Sequence, residues 1–297
     1  MRRRYLWRGF ALPGVAWLII FFVIPFYGIL AVSFGALDPI FRSAIPVWNP
    51  IDWNPQAFRL VFEDLARIDG AFQITFIRTT IYVVVAVALC IAIGYPVAYM
   101  VARHAGRFKT LFLIGVLAPF WISYLMRMLA WVNLLQDDGY VNDALLWLGI
   151  IHEPRNWLDG RASSVVFGLV YGYIPFFILP LYAVLDRIDQ RLLEAARDCG
   201  ASPFHAFWRV TLPLSKQGIL AGAVIVALPM FGDYYTADLL SASPHTTMIG
   251  NQINFFVHSP GGVTVGAALT VTLSLLLVVL MGYYLISTAR ARREAHA

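Results

Sequence analysis

Charge is scarce in this chain. Only 13% of its 297 residues are Asp, Glu, Lys or Arg, against about a quarter in soluble domains, while 60% are hydrophobic. Several apolar runs exceed the ~18–20 residues that cross a bilayer, which argues against a soluble fold under a polar shell. Cysteine is nearly missing. Cys90 lies in an apolar segment and Cys199 in a charged one, so no disulfide is expected. The histidines are scattered, among them His104, His152, His205, His245 and His258, with no H-x-x-x-H or Cys/His cluster, so a metal site is not expected. The apolar runs hold no Ser–His pair, which argues against an intramembrane serine protease. Neither Lys109 nor Lys216 sits in a G-x-x-x-x-G-K-[ST] loop, so no nucleotide is expected to bind this chain. The net charge of +5 comes from residues dispersed between apolar runs, a pattern of membrane topology rather than of nucleic-acid binding.

What is present is a set of six apolar segments: Leu12–Phe34, Ile74–Val101, Leu111–Leu135, Val165–Leu185, Gln217–Tyr235 and Val263–Thr288. Strands crossing a membrane would be about ten residues long and alternate in polarity, so these segments predict helices and an all-α transmembrane bundle of six. Pro25, Pro96, Pro119, Pro175, Pro180 and Pro229 interrupt them. Lys and Arg cluster at one set of ends, at Arg2, Arg3, Arg4 and Arg8, at Arg103, Arg107 and Lys109, across Arg187–Lys216, and at Arg290, Arg292 and Arg293. Acids such as Asp38, Glu63, Asp137, Asp138, Asp143 and Glu153 gather in the opposite connections. The bias places both termini in the cytoplasm. The expected organisation is an amino-terminal arm at 1–11, one membrane domain at 12–288 and a basic tail at 289–297. The first apolar run is too long for a signal-peptide core and is expected to be retained as a span.

Between the fourth and fifth spans lies Asp186–Lys216, far longer than the two to eight residues that usually join bundle helices. Glu194–Ala195–Ala196 favours helix, Gly200 is placed to end it in a left-handed cap, and Ser202–Pro203 provides an N-cap with Pro at the first position. From Pro203 the spacing predicts a second helix with Phe204, Phe207 and Trp208 on one face, stopped at Leu212–Pro213.

The run Glu194–Ala195–Ala196, Gly200, then Val210–Thr211–Leu212–Pro213 resembles the EAA loop of ABC importer permeases. The resemblance implies a six-helix type I importer bundle whose loop docks on a separate ATPase, with Glu194, Ala195, Ala196, Gly200, Phe204, Phe207, Trp208, Leu212 and Pro213 as the coupling residues. It further implies two cytoplasmic ABC ATPase subunits that hydrolyse ATP with Mg, a second, similar permease chain, and a periplasmic substrate-binding protein. A secondary transporter driven by ions has no use for such a loop. The stretch from Pro119 through Trp121 and Arg127 to Ala130–Trp131, with Gly139 and Asn142, is similar to the third span of spermidine/putrescine permeases. Asp238–Leu239–Leu240 with Met248–Ile249–Gly250–Asn251 is similar to their loop after the fifth span, and the long first outer loop resembles the first-permease type. The implied cargo is a polyamine; another small solute, such as an opine, a phosphonate, thiamine or an oxyanion, would use the same architecture.

A polyamine path calls for carboxylates and aromatic faces, and Asp233, Tyr234, Tyr235 and Asp238 supply them near the outer end of the fifth span. The two acids serve equally well as caps of a helix end. Arg127 and its neighbours Trp121 and Trp131 are expected to be structural or gating. Arg127 has two structural courses, to snorkel to water or to pair with an acid of the outer loops such as Asp137 or Asp138, the pairing weighing about the same as a transport role.

Overall fold

The computed structural model describes the backbone of residues 12–294 and the side chains of residues 12–286. The amino-terminal arm, with Arg2, Arg3, Arg4 and Arg8, and the side chains of the basic tail lie outside the described residues. Five helices among them are long and apolar enough to span a membrane, and a bent pair makes a sixth. They are α1 (Leu12–Ser33), α3 (Ala71–His104), the pair α4 (Lys109–Leu117) and α5 (Tyr124–Leu135), α7 (Ala162–Leu185), α9 (Pro203–Phe231) and α12 (Val263–Glu294). Shorter helices lie between them: α2 (Gln56–Ala66), α6 (Tyr140–Trp147), α8 (Gln190–Asp198), α10 (Tyr235–Leu240) and α11 (Ile249–His258).

All six expected spans are present, with three differences. The third is not continuous. Pro119 lies in a short 3₁₀ turn at Ala118–Trp121, and the two halves of the span meet at 87°. The fifth begins earlier than expected, because Leu212–Pro213 does not stop the helix that starts at Pro203. Phe207–Thr211 widens into a π-helical turn in which the Leu212 N–H donates to the Phe207 carbonyl, five residues back. A wider turn moves the carbonyl of residue i−4 away from the proline ring, which is what would otherwise break the helix. The same device recurs at Pro25, where Ile19–Val23 is π-helical and the Ile24 N–H donates to the Ile19 carbonyl. Third, the first connection holds a two-stranded antiparallel hairpin, β1 (Ala36–Leu37) and β2 (Ala44–Ile45), within an otherwise helical chain.

The chain divides into two compact units, Met1–Ile74 with Gln252–Gly282, and Thr75–Asn251 with Tyr283–Ala297. In the first, the hairpin and α2 are fastened to the end of α1. Trp53 stacks on Phe34 at 4.4 Å between ring centroids, and the Val47 N–H donates to the Ala31 carbonyl at 2.9 Å. In the second, α7 and α9 pack along their lengths. Phe177 of α7 is fully buried between glycine notches at Gly94 and Gly222. A Cβ at either position would lie 2.7 Å from its ring, so these small residues are what let the helices approach. Tyr95 of α3 and Ser215 of α9 share a hydrogen bond of 2.9 Å between their hydroxyls.

Candidate functional site

Two constellations in the second unit hold the residues singled out above. The first lies at the end of α9, where Gly232–Tyr234 breaks the chain before α10. Asp233 is buried there, 7% exposed. Its Oδ1 accepts the Thr236 N–H at 3.0 Å, capping the first turn of α10. Its Oδ2 accepts three hydroxyls, from Tyr124 at 2.8 Å, Tyr173 at 3.0 Å and Thr236 at 2.8 Å, with the Tyr124 and Thr236 oxygens in contact with one another. The carboxylate thus joins the start of α5, the middle of α7 and the break after α9. Gly172 makes the geometry possible, since a Cβ there would stand 2.6 Å from Tyr124 Cε2.

The other candidates in this region are not brought to one point. Tyr234 and Tyr235 stack at 4.1 Å, and Tyr235 is exposed. Asp238 is also exposed, and its Oδ1 accepts the Asn251 amide at 2.6 Å. That amide also donates to the Tyr234 carbonyl at 2.9 Å. Although much of the side chain is exposed, the protein around its carboxyl group displaces part of its water and raises the Asp238 carboxyl above its ordinary value. The Asn251 hydrogen bond opposes the rise, and the nearby Asp233 adds to it. Asp233 therefore faces inward and Asp238 outward.

Arg127 takes neither expected course. It is 8% exposed, so it does not snorkel, and among the described residues the only ion pair is Lys109–Asp186, so neither Asp137 nor Asp138 holds it. Its guanidinium lies 4.0 Å over the Phe120 ring, with the Tyr124 and Tyr171 rings at 5.5 and 5.8 Å, and its Nε donates to the Ile122 carbonyl at 3.2 Å. The break at Ala118–Ser123 turns α5 so that Arg127 meets Phe120 instead of lipid. Trp131 packs edge-on against Phe167 and Tyr171, whereas Trp121 is 82% exposed and apart from this cluster.

The second constellation is the loop between α7 and α9. Asp189 caps α8 by accepting the Arg191 N–H. Gly200 ends the helix at φ +86°, with the Gly200 N–H on the Arg197 carbonyl at 2.8 Å and the Ala201 N–H on the Ala196 carbonyl at 3.0 Å, a Schellman closure. Ser202 then caps the start of α9 through the His205 N–H. Glu194 and Ala195 are exposed and Ala196 is partly so, leaving most of α8 free of this chain. The three aromatics do not share one face. Phe207 turns inward, edge-on to Tyr95 and Tyr99 at 5.6 Å each, while Phe204 and Trp208 pair at 6.0 Å and are 68% and 52% exposed. Phe207 still meets Trp208 edge-on at 5.9 Å, at the boundary between the buried and the exposed side. Leu212 and Pro213 follow as the start of the membrane part of α9.

Sequence reasoning left out Tyr173, Thr236, Phe120 and Tyr171 as site residues. Tyrosine in an apolar run is ordinarily placed at the membrane interface, and the one available signal was the Tyr171–Gly172–Tyr173 alternation, which sets a large ring either side of a notch.

Residues 91–293 match the family described as binding-protein-dependent transport system inner membrane component. The chain belongs to this family. It is a multi-pass permease subunit of the inner membrane. Among relatives, it is 37% identical to the spermidine/putrescine transport system permease protein PotB of Haemophilus influenzae, over 89% of each chain. It is 32% identical to PotB of Escherichia coli, over 94% of this chain and 95% of that one. The permease has the fold of a chain of a bacterial alginate ABC transporter solved in complex with an alginate pentasaccharide-bound periplasmic protein. The two superpose with a TM-score of 0.73 at 17% identity, over 95% and 93% of their lengths.

Proposed function

We propose that this permease subunit forms part of the path by which an ABC importer takes up a polyamine, putrescine or spermidine, driven by a separate ATPase docked on the α7–α9 loop. The observation that carries the coupling is the free surface of α8, closed rigidly at Gly200 and continued by the exposed Phe204–Trp208 pair, with Phe207 rooted against α3. An exposed, well-capped helix whose next segment is anchored in the membrane passes a push from below into the spans, which a slack linker would absorb. In this reading Glu194, Ala195, Ala196, Gly200, Phe204, Phe207, Trp208, Leu212 and Pro213 are the coupling residues.

The loop at about 186–216 and both termini face the cytoplasm, residues 12–288 form one membrane domain, and two ATPase subunits bind below. A second, similar permease chain completes the path and a periplasmic binding protein delivers the cargo. This chain holds no ATP or Mg and performs no catalysis of its own.

The relatives named as polyamine permeases support the cargo. So does the chemistry near the fifth span, where exposed Asp238 and Tyr235 offer a carboxylate and an aromatic face to a flexible chain of ammonium groups. The test is ATP-driven uptake into proteoliposomes holding the whole complex, with putrescine, spermidine and an anionic control. Accumulation of the amines alone supports the reading, and accumulation of the anion alone overturns it.

A further inference from the structure

Among the described residues, Arg127 is a buried cation with no anion in ion-pair reach. Its Nη1 is enclosed and has no hydrogen-bond partner, and its charge is met by three aromatic faces and one carbonyl. Removing a charge from water is costly, and a structural arginine in an apolar bundle is ordinarily paired with an acid. An aromatic cage is instead how proteins hold alkylammonium groups, with the cation within about 6 Å of the ring centroids. Phe120, Tyr124 and Tyr171 meet that distance, and the Phe120 and Tyr171 rings lie beside one another, 6.3 Å apart and tilted by 34°. Tyr124 also joins the cage to a negative charge, because its ring faces Arg127 while its hydroxyl donates to the buried Asp233 carboxylate. Phe120 lies within the break in the third span and Tyr124 follows it, so a change of cage occupant bears on the joint between α4 and α5.

We propose that Phe120, Tyr124 and Tyr171, backed by Asp233, form an ammonium-binding site, and that the Arg127 guanidinium fills it as a tethered cation until an ammonium group of the cargo displaces it. The inference rests on the cationic cargo proposed above. Arg127→Lys keeps a cation in the cage, whereas Arg127→Met, of similar length, leaves it without a charge.

Equilibrium binding of radiolabelled spermidine to the purified complex, with no binding protein present, tests the proposal. Arg127→Met is expected to bind at least threefold more tightly than the parent, and Arg127→Lys to match the parent. Adding Tyr171→Leu to Arg127→Met is expected to abolish the gain. An assembled Arg127→Met complex with no gain overturns displacement. If Arg127→Met does not assemble, the parent complex decides. Phenylglyoxal labelling of Arg127, quantified by peptide mass spectrometry, is expected to rise with saturating spermidine, and labelling that is unchanged overturns the proposal. ATP-driven uptake by the parent complex is measured alongside. Absence of amine uptake there defeats the cargo assignment, whereas amine uptake with no gain in Arg127→Met defeats the displacement alone.

Discussion

Tyr124 and Asp233 are 109 residues apart and share a hydrogen bond of 2.8 Å, joining the residue that restarts the broken third span to the residue just beyond the end of the fifth. Two discontinuities, each a weak point for a helix in a membrane, are thereby tied to one another and, through Tyr173, to α7.

Removing one hydroxyl from this cluster and removing its acceptor have different consequences. Tyr173→Phe deletes one of four donors and is expected to cost about 1 kcal/mol. Asp233→Ala strands the Tyr124, Tyr173 and Thr236 hydroxyls and the Thr236 N–H, and is expected to cost at least about 3 kcal/mol. Thermal unfolding of the detergent-purified complex, followed for each variant, gives this order; equal losses would mean that the carboxylate does not hold the cluster together.

Gly172→Ala tests the same cluster from the packing side. The added methyl would stand 2.6 Å from Tyr124 Cε2, and overpacking of this kind costs about 1–3 kcal/mol. Pairing it with Tyr124→Leu, which clears the ring, is expected to cost less than the sum of the two single losses. Strict additivity in unfolding measurements would show that the two positions do not meet.

The raised Asp238 carboxyl gives two pH dependences of opposite sign. Its ordinary value is 3.8, and the folded value lies higher through burial first and the Asp233 charge second. Stability contributed by this group is therefore present below the unfolded value and is lost as pH rises through the folded one. Attraction for a cationic cargo needs the ionised form, so amine uptake is expected to fall on acidification at a pH above the group's ordinary value of 3.8. Asp238→Asn is expected to flatten that limb and lower uptake. Initial uptake rates from pH 4 to 8 decide this, and an unchanged acidic limb in the variant would remove Asp238 from the path.

Trp208 and Gly200 separate coupling from folding. Trp208→Ala removes a half-exposed ring and is expected to change stability by no more than about 0.5 kcal/mol while reducing uptake at least tenfold. Gly200→Val forces a β-branched residue into a left-handed position and is expected to cost about 1–2 kcal/mol and to uncouple as well. Uptake and ATP hydrolysis measured on the same vesicles distinguish lost coupling from lost assembly.

Much of this architecture was legible before any coordinates. Apolar runs report the length of a span directly, and the caps at Gly200 and Ser202 depend on residues within a few positions of one another, so local chemistry placed them. The break at Pro119 showed only as a proline, because the 87° turn depends on what α5 packs against. Pro213 suggested a stop, yet the π-helical turn before it let the helix continue, an outcome set by the membrane-embedded segment that follows. Asp233 stood out as an acid near a span end, but its partners lie 109 and 60 residues away, beyond the reach of any pattern of spacing. Arg127 misled for the same reason, since the rings that hold it come from the break, from the start of α5 and from α7.

A structure of the assembled transporter in lipid examines the coupling at its source. The expected result is α8 seated in a groove of the ATPase subunit, with Phe204 and Trp208 buried against it and Phe207 still lodged between Tyr95 and Tyr99. An α8 that lies against lipid, or on the periplasmic face, would contradict the mechanism.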